Sequence, residues 1–124
     1  MKLILIIIGA VLILSILIYI RKKRQWKWYE PEDSTPREQC PCCDYISLPE
    51  RGNYLICPIC FWEDDGLDID KPDVGSGPNK GISLREARIN FNEFGACDES
   101  MIKNTIPTKE RENYEYKSRE ILNE

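Results

Sequence analysis

The sequence predicts an α+β protein, with an N-terminal transmembrane helix followed by a small β-hairpin domain packed on a capped helix. Three observations carry that prediction. Leu3 to Ile20 is one apolar run, broken only by the small residues Gly9, Ala10 and Ser15. Two C-x2-C turns, Cys40-Pro-Cys-Cys43 and Cys57-Pro-Ile-Cys60, flank a tract of thirteen residues. Ser83-Leu-Arg-Glu86 then opens a stretch whose apolar residues have helical spacing.

The eighteen residues of the apolar run, at about 1.5 Å each, reach roughly 27 Å, enough for a hydrocarbon core about 30 Å thick. A cleavable signal peptide would show a basic n-region, a shorter apolar core and a small-x-small cleavage site. Here only Lys2 precedes the run, and Tyr19-Ile20-Arg21-Lys22-Lys23-Arg24 follows it without such a site. Residues 1–20 therefore read as an uncleaved single-pass anchor that meets the membrane through residues 3–20. Arg21, Lys22, Lys23, Arg24 and Lys27 lie after the span, against Lys2 before it. The positive-inside rule then places the C-terminal domain in the cytoplasm. Residues 21–39 form a basic and aromatic juxtamembrane segment, with Trp26, Trp28 and Tyr29 suited to the headgroup layer, and a polar linker with two prolines.

A cytoplasmic domain sits in a reducing compartment, where clustered thiols are metal ligands rather than disulfides. Cys40, Cys43, Cys57 and Cys60 have the count and spacing of a tetrahedral four-thiolate site. Zn²⁺ is its commonest occupant and iron the alternative. Cys42, crowded into the first knuckle, is an alternative ligand. The chain has no histidine, which removes the imidazole ligand and the usual general base near neutral pH. No catalytic residue and no small-molecule site is evident.

Between the knuckles, Tyr45-Ile46-Ser47-Leu48 and Tyr54-Leu55-Ile56 are β-type runs separated by the turn Pro49–Asn53. Knuckle, strand, turn, strand, knuckle is a zinc-ribbon-like hairpin. Asp44 follows the first knuckle, where a left-handed backbone is often needed and glycine is the usual choice.

Beyond Cys60, Phe61 and Trp62 are expected at the centre of the small core. Glu63, Asp64, Asp65, Asp68, Asp70 and Asp73 lack the spacing of an EF-hand loop and read as a solvated acidic loop. Pro72 to Gly81 is a loop without the Gly-Lys-Ser/Thr ending of a phosphate loop. Ser83 is the expected N-cap of a helix with Glu86 completing a capping box, and Gly95 the expected C-cap after Phe94. Leu84, Ala87, Phe91 and Phe94 share one face. Asp98 can cap a further turn through Met101 and Ile102. Residues 40–104 thus form the cysteine-rich domain. Residues 105–124 are a polar tail with at best a marginal amphipathic helix through Tyr114, Ile121 and Leu122.

Charge is split between the two parts. Residues 1–27 carry +6, and residues 28–124 carry eleven Lys/Arg against twenty-one Asp/Glu, or −10. A domain that acidic repels phosphate backbones, which excludes nucleic acid as the expected partner.

Taken together, Cys40-Pro-Cys-Cys43, Arg51-Gly-x-Tyr54, Ile56-Cys-Pro-Ile-Cys-Phe-Trp-Glu-Asp-Asp65, Gly77-Pro-Asn, Ser83-Leu-Arg-Glu-Ala-Arg88, Asn90-Phe91 and Phe94-Gly-Ala-Cys-Asp98 resemble the cysteine-rich CPCC family of small bacterial proteins. The resemblance spans about residues 39–104, and Asp44 departs from a pattern that usually reads Gly. It implies metal binding and no established activity. The expected function is that of a membrane-anchored module with a structural four-cysteine zinc site that recognises an unknown protein partner without catalysis. The alternatives are a thiol redox protein using the C-x2-C turns with Cys42 or Cys97, a rubredoxin-like iron protein, and an acidic immunity or inhibitor-type protein that neutralises a basic partner.

Overall fold

The computed structural model describes residues 1–25 and 29–121. Trp26, Lys27, Trp28 and Leu122, to which the sequence assigns headgroup and tail roles, lie outside the described residues. Helix α1 runs Lys2–Gln25, past the end of the apolar run, because Arg and Lys are good helix formers. Its apolar side chains are exposed all round. By length and composition it can cross a membrane, a test that a signal sequence also passes.

Strands β1 (Glu38–Gln39) and β2 (Ile46–Leu48) are antiparallel, with Glu38 opposite Leu48 and Gln39 opposite Ile46 across a bulge. This differs from the expected pairing of Tyr45–Leu48 with Tyr54–Ile56. The first knuckle is the tip of its own hairpin. The second knuckle is likewise bracketed by Tyr54 N–H to Asp64 O (2.8 Å), Asp64 N–H to Leu55 O (3.0 Å) and Cys57 N–H to Trp62 O (2.9 Å). Each C-x2-C turn reverses the chain, so its own flanks meet at the lowest loop-closure cost.

The second edge of β2 is taken by the tail. Ile46 N–H donates to Glu115 O (2.8 Å) and Tyr45 bridges Tyr116, their ring centroids 5.0 Å apart. The tail reaches this position through a short 3₁₀ helix, Thr108–Asn113, and is then extended. Among its described residues the tail has no continuous amphipathic helix.

Helix α2 spans Leu84–Phe94, and both caps form as expected. Ser83 Oγ accepts from Glu86 N–H at 3.2 Å, and Gly95, at φ 76°, donates its N–H to Phe91 O. Leu84 and Ala87 are buried, Phe91 is half-buried, and Phe94 at the end of the stripe turns outward. Ser83→Ala is expected to cost about 1 kcal/mol, the usual value of an N-cap hydroxyl, read as a lowered urea midpoint with unchanged slope. Asp98 caps the next 3₁₀ turn, Glu99–Asn104, accepting from Ser100 N–H.

The loop before α2 is tightly closed. Ser76 N–H bonds Ile82 O and Gly81 N–H bonds Ser76 O, at 2.9 and 2.7 Å. A Cβ on Gly75 would meet Gly81 O at 2.9 Å, so only glycine fits there. Leu48, Ile59, Trp62, Leu84 and Ala87 form the core together with the cysteines. Trp62 is fully buried, as expected of the core's centre.

Candidate metal centre

The two hairpin tips face each other. In each, the residue after the second cysteine is left-handed, Asp44 at φ 66° and Phe61 at φ 65°. Its N–H returns to the first cysteine's carbonyl, Asp44 to Cys40 (3.0 Å) and Phe61 to Cys57 (2.9 Å). The Sγ atoms of Cys40, Cys43, Cys57 and Cys60 lie within 4.8 Å of one another, and all four residues are buried. Cys40 Sγ is 3.6 Å from Cys60 Sγ, and Cys43 Sγ is 3.7 Å from Cys57 Sγ. A tetrahedron with bonds of about 2.3 Å has edges of about 3.8 Å. Two edges of the sulfur cage therefore already have the length a thiolate-bound ion needs, and the cluster is a possible metal site.

Electrostatics point the same way. Burial pushes the Cys40, Cys43 and Cys60 thiols well above their ordinary range. Cys57 goes well below it, because hydrogen bonds from Cys40, Cys43, Cys60 and Ser47 outweigh its own burial. Ser47 Oγ, 3.0 Å from Cys57 Sγ, is placed to donate to that thiolate. Burial thus limits how much negative charge the bare cage can carry. A cation removes that limit.

Cys42 and Cys97 are not among the four, although Cys42 lies near enough to Cys60 to help raise its thiol. The Cys42 thiol donates to Ala87 O on α2 at 3.5 Å. Cys97 N–H bonds Cys60 O at 2.8 Å, while burial first, then nearby negative charge, pushes its thiol up to about 12. Cys97 also borders a cavity of about 70 Å³ lined by Ile56, Phe61, Ile82 and Met101.

Around the first knuckle runs a network that the sequence did not reveal. Arg88 clasps Asp44 with both guanidinium nitrogens at 2.8 Å and also donates to Pro41 O. Arg119 donates to Asp44 through its main-chain N–H (2.8 Å) and Nε (3.1 Å), and to Asp68 through Nη1 (3.3 Å). Arg51 links Asp68 (2.7 Å) to Asp64 (2.9 Å). Asp44 is 3% exposed. Its carboxylate thus accounts for an aspartate in a backbone position that glycine adopts more readily.

The acidic stretch is accordingly a solvated loop only at Asp70 and Asp73, which are exposed. Asp64 is fully buried and accepts from Arg51 Nε and Gly52 N–H. Asp65 accepts from Ser76 Oγ at 2.6 Å, and Asp73 pairs with Arg85. Burial opposes the charge on Asp68. Bonds from Arg51 and the Ile69 amide, with attraction to both arginines, nevertheless hold its carboxyl below the ordinary 3.8. A folded value lower than the unfolded one gives stability that is fully present above about pH 4 and is lost as pH falls through the folded value. Acid unfolding of Asp68→Asn should therefore start from a less stable protein and show a shallower pH slope below pH ~4 than the wild type.

No curated protein and no solved structure matches this chain. The model of the family described as "Cysteine-rich CPCC" matches residues 38–112, from the first strand beside Cys40 into the turn that leads to the tail. With both knuckles and α2 inside that match, the chain belongs to the cysteine-rich CPCC family.

Proposed function

We propose that this protein is a membrane-anchored module whose zinc-ribbon-like domain is held together by one structural Zn²⁺ on Cys40, Cys43, Cys57 and Cys60. The observation that carries the reading is the cage of four buried sulfurs with 3.6 and 3.7 Å edges. Bound there, Zn²⁺ supplies a cross-link between the two hairpins and offsets half the charge of four thiolates. A site with four protein ligands leaves no position for water or substrate, which favours protein recognition over catalysis. Such a staple suits a domain whose apolar core is small, Leu48, Ile59, Trp62, Leu84 and Ala87 with the cysteines. α1 is its anchor, and the cations after the span favour a cytoplasmic domain.

Metal analysis of the full chain in detergent tests the centre. One zinc per chain and a colourless sample are expected. A red sample carrying iron would move the reading to an electron carrier, and a folded, metal-free chain would end it. A cytoplasm-dependent fluorescent reporter fused after residue 124 should light up, and silence would reverse the orientation.

A further inference from the structure

Residues 115–119 contribute nothing to the apolar core, yet they are bonded at almost every residue. Glu115 O accepts from Ile46, and Lys117 N–H donates to Asp44 O at 3.2 Å while Lys117 O accepts from Gln39 Nε2. Arg119 holds Asp44 and Asp68, donates from Nη2 to Cys40 O at 3.4 Å, and accepts at its carbonyl from Arg88 at 2.6 Å. Apart from Asp68 and Arg88, every partner lies between Gln39 and Ile46, in or beside the first knuckle. The second knuckle is tied to other parts of the chain, through Cys97 N–H to Cys60 O and Ile106 N–H to Pro58 O.

We propose that residues 115–119 are a strap that controls how fast the first knuckle opens and releases its metal ion, with Arg119 as the fastening. The inference rests on the metal reading above. Cys40 and Cys43 cannot swing away from Cys57 and Cys60 without moving Asp44. The Asp44 amide is bonded to Cys40 O, and its carboxylate is held by Arg88 and Arg119. Opening the knuckle therefore means unfastening Arg119, or leaving a buried carboxylate with one partner fewer.

The test is zinc transfer from the full-length chain in detergent micelles to an excess of a chromogenic chelator. Arg119→Ala should start with the same zinc content and release it about tenfold faster, as expected for losing hydrogen bonds to a buried charge. Arg119→Lys should fall between, because a point charge replaces the planar fork. Lys117→Ala should match wild type, since Lys117 is held by its main chain. Wild-type release from Arg119→Ala would overturn the strap and leave the metal site standing, whereas a wild-type chain without metal would overturn the site itself. Hydrogen exchange on the unmodified chain decides the matter even if Arg119→Ala fails to fold. With chelator present, the amides of Ile46, Lys117 and Arg119 should exchange before those of Cys57 and Asp64, and zinc transfer should follow the first group. Simultaneous exchange of both groups would count against the strap.

Discussion

Replacing Cys57 with serine is expected to cost the chain its metal and, with it, the fold of residues 38–121. Cys57 is fully buried, 3.7 Å from Cys43 Sγ, and is the sulfur that Ser47 supports. Structural zinc contributes roughly 10–16 kcal/mol in small peptides, as much as the whole stability of a typical domain at about 5–15 kcal/mol. Cys57→Ser should therefore show no zinc on metal analysis and no cooperative thermal transition. Cys42→Ser is the contrast. Its sulfur bonds Ala87 O and is not one of the four clustered sulfurs, so it should keep one zinc per chain. A Cys57→Ser protein that stays metal-free and cooperatively folded would refute the structural role.

Asp64→Ala is the second large effect, at about 3–5 kcal/mol, because it removes the fully buried one of the two carboxylates that hold the partly buried Arg51 guanidinium. The Gly52 amide loses its acceptor as well. Arg51→Leu should be comparably costly, since it strands a carboxylate that is completely shielded from water. The double variant Arg51→Leu with Asp64→Leu should recover part of the loss, and the double-mutant cycle measures how much. Full recovery is not expected, because Gly52 N–H loses its acceptor and Asp68 keeps only Arg119 and the Ile69 amide of its three partners. Additive losses across the cycle would show that the pair does not act as a unit.

Local features were legible in the sequence, and long-range ones were not. A C-x2-C turn is short enough that its spacing dictates its shape, and capping is decided within four residues. The cysteine cage, Ser83 and Gly95 could therefore be read directly. Strand pairing is not local in that sense. Tyr45–Leu48 had two candidate partners, and the overlooked signal was that a knuckle reverses the chain and so favours its own flank, Glu38–Gln39. Within the acidic run, composition separates neither the exposed Asp70 and Asp73 from the buried Asp64 nor any charge from its partner. Asp64 answers to Arg51 thirteen positions earlier, and Asp68 to Arg119 fifty-one positions later. The docking of the tail was invisible for a related reason. It is held mainly by main-chain bonds and the Arg119 guanidinium, with Tyr114 and Tyr116 as isolated aromatic contacts, and these leave no apolar period to find.

Strand β2 is hydrogen-bonded on both sides, by Glu38–Gln39 and by the Glu115–Tyr116 segment. In a two-stranded sheet the second side would otherwise be an open row of donors and acceptors, the template on which another chain adds a strand. If α1 anchors the chain as proposed, copies would meet at high local concentration, where such templating is most damaging. The tail occupies the edge on which it would start, and a chain ending at Tyr114 is expected to form β-rich aggregates that the full chain does not, as read by thioflavin fluorescence.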